Sequence, residues 1–180
     1  MIERTQRKLR EVQFFLGELV QEGGRVVRSD PEAFRFYLSA LLSAARSVTW
    51  ALQFEEKDKY DAWFELARST ASRRPADDQE FLAFLKDQRN YEQKRGGAEV
   101  SVAWDYIPIS RVPTTNRSHP AYGFYWFGPP GTPEPLAGVP VHSFESASGD
   151  QDVVVACRRY VGFLSELVRD FLEAHQTNVV

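Results

Sequence analysis

The chain has 180 residues, of which 43% are apolar, 26% are charged and 13% are aromatic. This composition is typical of a globular protein with a substantial core, and it excludes an intrinsically disordered, collagen-like or disulfide-stapled chain. The net charge of −3 excludes the global basic field that drives tight non-specific binding to nucleic acid. The only cysteine, Cys157, has no partner for an internal disulfide.

The sequence shows neither a targeting segment nor a membrane span. Residues 1–10 are charged throughout and lack the apolar centre of a signal peptide. In the most apolar stretch, the longest uncharged run is residues 36–45, about half the length needed to cross a bilayer. We therefore expect a cytoplasmic protein that has no membrane partner.

The first half of the sequence predicts helices. Apolar residues at three- and four-residue spacing indicate four of them, over about 2–22, 31–54, 57–72 and 78–95. The glycine pairs Gly23-Gly24 and Gly96-Gly97 are predicted to end the first and the fourth. Ser29 or Asp30 is the predicted N-cap of the second helix, and Pro31 lies in its first turn.

The second helix carries the most continuous apolar pattern, which predicts the central helix of a bundle. Its stripe consists of Phe34, Tyr37, Leu38, Leu41, Leu42, Ala45, Val48 and Leu52. The same helix also contains small residues such as Ser39, Ser43 and Ser47, and some of them lie on the flanks of the stripe. Small side chains let a neighbouring helix approach closely.

Residues 98–147 predict a small antiparallel β insertion, because valine, aromatic residues, proline and glycine replace the helical pattern there. The predicted strands cover residues 99–112, Tyr122–Phe127 and 139–144, and Pro108 confines the second half of the first strand to an edge or a bulge. The aromatic strand Tyr122–Phe127 needs burial on both faces. The chain's own core or a second copy could supply it, and a stacking platform for bases is a third interpretation.

The last helix begins at a possible capping box, Ser148 to Gln151, and runs to about His175. The predicted fold is therefore mainly α. It is an antiparallel bundle of about five helices, with a small antiparallel β insertion between helices four and five, in a single domain over residues 1–180.

The sequence lacks the signatures of several common sites. It contains neither a phosphate-binding glycine loop nor a nucleophile elbow. His119, His142 and His175 are widely separated, and no cysteine or carboxylate stands near them at a ligand spacing. We expect no metal and no cofactor.

The residues best placed for chemistry lie in the fourth predicted helix. Arg89 follows Leu85 by four residues, so its aliphatic stem borders the apolar stripe. Asn90 comes next, and Lys94 and Arg95 stand just before the glycine stop. Cations in the last turns of a helix also favour its dipole, so a purely structural role for Lys94 and Arg95 is an equal alternative.

An apolar helix that carries an arginine, then a polar residue, then a histidine near the helix end is the pattern of the HEPN family, and residues 1–97 resemble it. The resemblance implies a compact helical bundle, often homodimeric, related to metal-independent RNases of toxin–antitoxin and defence systems. Arg89 and Asn90 match the family's arginine and its polar neighbour. Lys94 stands where the family has histidine.

This replacement matters for catalysis. Metal-independent RNA cleavage needs one group of near-neutral pKa to move protons and a cation to stabilise the phosphate. Lysine has a reference pKa of about 10.4, so a lysine base needs a pKa depression of about three units. On a straight helix, Arg89 and Lys94 also point about 140° apart.

Two functions are compatible with these residues. In the first, the protein is HEPN-like and binds RNA or a partner protein in a toxin–antitoxin or defence context. Arg89, Asn90 and Lys94 are then the candidate catalytic residues, and Arg89, Lys94 and Arg95 are the candidate nucleic-acid contacts. In the second, it is a non-catalytic homodimeric interaction module with no nucleic-acid role, and Arg89 is structural.

Overall fold

A computed structural model describes residues 2–25, 30–71, 76–95, 100–111, 125–126, 131, 136–144 and 151–176. Within these ranges the helices are α1 (Glu3–Gly23), α2 (Pro31–Glu55), α3 (Lys57–Ala71), α4 (Ala76–Arg95) and α5 (Val153–Gln176). The strands are β1 (Val100–Pro108), β2 (Tyr125–Trp126), β3 (Leu136–Phe144) and β4 (Gln151–Asp152). The predicted fold class, a helical bundle with a small antiparallel sheet between the fourth and fifth helices, is confirmed.

Side-chain carboxylates join α1 to α2 at the connection between them. The Asp30 side chain caps α2 by accepting hydrogen bonds from the backbone N–H groups of Glu32 and Ala33, at 2.9 and 3.1 Å. This confirms one of the two predicted caps; the other, Ser29, lies outside the described residues. Glu22 is buried, accepts a hydrogen bond from the Asp30 N–H at 2.7 Å, and pairs with Arg25 at 2.8 Å.

Glu55 joins the same two helices at their opposite ends. The first N–H groups of a helix have no acceptor within it, and the residue that precedes α1, Ile2, has no side-chain oxygen to offer. The Glu55 carboxylate accepts from the Arg4 N–H at 2.7 Å, from the Thr5 N–H at 2.9 Å and from the Thr5 hydroxyl at 2.8 Å. The two ends together fix α1 and α2 as an antiparallel pair.

The core lies where α1, α2 and α5 meet. The predicted stripe of α2 is confirmed, because all of its members are buried except Tyr37, which is partly buried. From α5 the buried apolar residues are Val153, Ala156, Cys157, Val161, Leu164, Val168 and Phe171. α3 adds Tyr60, and α4 adds Phe81 and Leu85.

The sheet is organised around β3. β1 pairs with all of β3 in antiparallel register, from Val100 opposite Phe144 to Pro108 opposite Leu136. β2 and β4 pair with the two ends of the other edge of β3. β1 is thus an edge strand of the described sheet, as Pro108 requires. Most of the predicted aromatic strand, and the side chains of its described part β2, lie outside what the structure describes.

The start of α5 differs from the prediction. Gln151 and Asp152 pair with Phe144 and Ser143 as β4, so the helix begins at Val153 and not at a capping box over 148–151. The Asp152 carboxylate accepts a hydrogen bond from the Val155 N–H at 2.8 Å and is the N-terminal cap. Ser148, the predicted cap, lies outside the described residues.

None of the helices in the described ranges is both long enough and apolar enough to cross a bilayer.

Candidate functional site

Arg89 lies on the side of α4 that approaches α5. It is half-buried, next to the buried residues Leu85 and Gln88. Its guanidinium donates a hydrogen bond to Tyr160 of α5, while its Nε is enclosed without a hydrogen-bond partner. Gln88 Oε1 is also enclosed without a hydrogen-bond partner. The charge of Arg89 is therefore directed at a neighbouring helix of its own chain.

The pKa of Tyr160 reflects this contact. Burial raises the pKa of Tyr160, and the charge and hydrogen bond of Arg89 oppose that rise. Tyr160 could not be identified from the sequence as a partner of Arg89, because residues 71 positions apart come together only when α4 packs against α5. The one local signal was a tyrosine, with a polar tip, inside the apolar pattern of the last helix.

A second cation strengthens the contact between α4 and α5. Arg159 forms an ion pair with Asp78 at the start of α4. Its guanidinium also stands 4.2 Å from the ring centre of Phe81, which packs 6.1 Å from the ring of Phe163. Cation–π contacts of this kind hold helices together and leave the arginine less available to an external ligand.

The other predicted site residues do not gather around Arg89. α4 continues without a break through Arg95, so Arg89 and Lys94 leave it about 140° apart. Lys94 is exposed and Asn90 is half-buried. The backbone of Arg95 ends α4, and its side chain lies outside the described part of the chain.

The described histidines have other neighbours. His142 of β3 is buried and stacks on Phe34 of α2, with ring centres 3.6 Å apart and planes 9° apart. Burial lowers the pKa of His142; Asp152 opposes this and Arg35 adds to it. His175 lies 2.7 Å from the Phe171 carbonyl oxygen. His119 lies outside the described residues, so no described histidine takes the place of the family's histidine beside Arg89.

Cys157 is a structural thiol. It is fully buried, and burial, with a smaller effect of Asp152, raises its pKa to about 12. A thiol held in this state is a poor nucleophile. Across the described residues, no three side chains of metal-ligating type cluster together.

The side of α2 that faces away from the core carries exposed aromatic rings. Phe36, Trp50 and Phe54 have 64%, 56% and 73% of their surface exposed. Single exposed apolar residues are ordinary, whereas several on one helix face are a feature that contact surfaces share. We call this the outer face of α2, formed by Phe36, Ala40, Ser43, Ser47, Trp50 and Phe54.

Arginines lie beside these rings. The guanidinium of Arg46 stands 4.2 Å from the ring centre of Trp50, and that of Arg4 stands 5.1 Å from Phe54. α1 also borders an open groove with a volume of about 620 Å³, lined by Glu3, Arg4, Gln6, Arg7 and Arg10. Three guanidinium groups against one carboxylate make this groove locally positive, although the whole chain carries −3.

No protein-family model matches the chain, and neither a curated protein nor a solved structure resembles it significantly. The resemblance to the HEPN family therefore stays a prediction from the sequence.

Proposed function

We propose that the protein is a non-catalytic helical interaction module, and that its likeness to the HEPN family lies in the helical bundle and not in RNA cleavage. The observation that carries this proposal is the environment of Arg89. Its guanidinium is hydrogen-bonded to Tyr160 of its own chain, whereas Lys94 is exposed on a different side of α4.

A cleavage site would need these groups to converge. The arginine has to face the phosphate, and the base has to reach the 2′-hydroxyl within hydrogen-bond distance. Lysine becomes a base near neutral pH only where burial or neighbouring cations disfavour its charged form, and Lys94 is not buried. The geometry thus supports a structural role for Arg89.

The outer face of α2 supplies the surface for an interaction. Most of the surface of Phe36 and of Phe54 is exposed to water. A protein partner that covers these rings removes apolar surface from water, which favours binding. Aromatic residues are also enriched at protein–protein interfaces relative to the rest of the surface.

The test is incubation of the purified protein with mixed RNA in the presence of EDTA. We expect no cleavage from the wild type, from Arg89→Ala or from Lys94→Ala. Lys94→Ala replaces an exposed side chain and so keeps the fold even where Arg89→Ala loosens it. Cleavage by the wild type that disappears in either variant would overturn the proposal.

The groove along α1 supports a second candidate function, RNA binding without cleavage. Basic side chains beside exposed aromatic rings are the usual surface for single-stranded nucleic acid. Fluorescence anisotropy with labelled single-stranded RNA separates the two functions. Salt-dependent binding that is lost when Arg7 and Arg10 are both replaced by alanine, but kept in Lys59→Ala, would establish the second; absence of binding supports the first.

A further inference from the structure

We propose that the outer face of α2 packs antiparallel against the same face of a second copy of this chain. This inference rests on the proposed function, because it names the partner of an interaction module. It also assigns the register of the contact from the order of residues along α2.

The outer face has the spacing of a helix–helix seam. Its six residues alternate by four and three positions over nineteen residues, which is the a/d pattern of two helices that pack side by side. α2 is 25 residues long, so the seam occupies most of the helix. The buried stripe of α2 is separate from it, and the helix therefore carries a second surface, with aromatic rings at its two ends and small residues between them.

The order of side-chain sizes fits an antiparallel two-fold pair. An axis that passes beside residue 45 places Phe36 opposite Phe54 of the second copy, Ala40 opposite Trp50, and Ser43 opposite Ser47. The largest ring then meets the smallest side chain, and the small residues at the centre allow close approach. A two-fold interface requires this kind of self-complementary surface. A parallel pair would instead stack Trp50 on Trp50.

The Ser47 hydroxyl at the centre of the seam does not oppose burial. The Ser47 hydroxyl donates a hydrogen bond to the Ser43 carbonyl oxygen of its own helix, at 3.1 Å. A buried hydroxyl without a partner would cost free energy, but this donor is already satisfied inside α2. The middle of the seam can therefore lose its water without leaving that donor unpaired.

The same register brings opposite charges together at both ends. Arg35 is exposed and forms no ion pair with any described residue. It lies opposite the end of α2 in the second copy, where Gln53 donates a hydrogen bond to Asp61 at 3.4 Å. Arg35 and Gln53 share one flank of α2, since eighteen residues are five full turns. Arg35 of each copy thus faces Asp61 of the other.

The area fits a reversible dimer. An aromatic residue buries 150–250 Å² when fully covered, so three rings that are more than half exposed offer roughly 400 Å² in each copy. Two copies contribute roughly 800 Å², and the small residues and flanks bring the total near the 1,200 Å² lower limit of specific interfaces. We expect a dissociation constant on the order of micromolar.

Sedimentation equilibrium of the full chain over a range of concentrations tests the proposal. We expect a monomer of 20.6 kDa in equilibrium with a dimer of twice that mass. Trp50→Glu should weaken the dimer at least about tenfold, because a charge would be buried opposite Ala40. Trp104→Glu is the matched control, since Trp104 on β1 is 47% exposed and lies off α2.

A charge exchange tests the register. Arg35→Glu and Asp61→Arg should each weaken the dimer several-fold, and the double variant should restore it. A wild type that is monomeric at every concentration, a dimer sensitive to Trp104→Glu but not to Trp50→Glu, or a double variant no tighter than the single ones would overturn the proposal. A monomer that also fails to cleave RNA would overturn this inference alone, whereas RNA cleavage dependent on Arg89 would overturn the proposed function.

Discussion

The position of His142 between the sheet and α2 disfavours the charged form of its imidazole. The imidazole stacks on Phe34, and its Nε2 is enclosed without a hydrogen-bond partner. Burial lowers the pKa of His142 below 6.5, so the unfolded chain takes up a proton at a higher pH than the folded chain does. The stabilisation is present above pH 6.5 and is lost as the pH falls through the folded-state value.

The free energy of unfolding should therefore decrease as the pH falls below about 6.5, and His142→Phe should flatten that decrease, because phenylalanine keeps the stack and does not titrate. Urea denaturation at a series of pH values measures the effect. Gln13→Ala, at an exposed position of α1 that does not titrate, serves as the control and should keep the slope of the wild type. Equal slopes in the wild type and His142→Phe would show that His142 does not titrate on unfolding.

Arg89 and Tyr160 should be energetically coupled if Arg89 is structural. Arg89→Met leaves the partly buried phenol of Tyr160 without its partner, and we expect a loss of about 1–2 kcal/mol in the free energy of unfolding. A double-mutant cycle with Tyr160→Phe should give a coupling above about 0.5 kcal/mol. Lys94→Met, at an exposed position, should stay within about 0.5 kcal/mol of the wild type. Additive effects of the Arg89 and Tyr160 variants would refute the structural role.

At the scale of elements, the pair of α1 and α2 depends on a cap supplied from outside α1. Glu55, at the end of α2, accepts hydrogen bonds from the first turn of α1. Burial alone would raise the pKa of Glu55, but the hydrogen bonds from Arg4 and Thr5 outweigh it, so the pKa is lowered. The cap therefore acts fully above pH 4.5 and is lost in more acidic solution, where the carboxylate takes up a proton.

Glu55→Ala should lower the free energy of unfolding at neutral pH by about 1–2 kcal/mol, the usual cost of losing an N-terminal cap. The difference from the wild type should shrink in acid, where the wild type also loses its carboxylate. Glu166→Ala on the exposed side of α5 is the control. A neutral-pH change no larger than that of Glu166→Ala would show that Glu55 does not hold α1 to α2.

Patterns within one helix were readable from the sequence, and contacts between distant elements were not. The stripe of α2 and the Asp30 cap are local, and both are confirmed. The start of α5 was wrong because pairing with β3 recruits Gln151 and Asp152 into the sheet. No role was predicted for Phe36, Trp50 and Phe54, because a helical pattern alone does not show which apolar residues the neighbouring elements leave exposed. For Arg89, the sequence indicated a stem beside the core, but Tyr160 could not be identified as its partner.

At the scale of the whole molecule, α2 has one side in the core and one side exposed. The core side contacts α1, α3, α4 and α5, whereas the outer face presents its rings to water. In the proposed dimer, α2 stabilises the fold with its core side and contacts a second copy with its outer face. The charge of Arg89 on α4 is directed at Tyr160 of α5, which supports the proposal of binding without catalysis.

Cross-linking across the two-fold axis tests this account most directly. One preparation carries Ser43→Cys and another carries Ser47→Cys, and the native Cys157 is buried and unreactive. In the antiparallel pair, residues 43 and 47 lie opposite each other, whereas two copies of residue 43 are offset by about 6 Å along the helix. After mild oxidation of the mixture, we predict a disulfide that joins residue 43 of one chain to residue 47 of the other. No cross-link, or one that joins two copies of residue 43 more readily, would contradict the account.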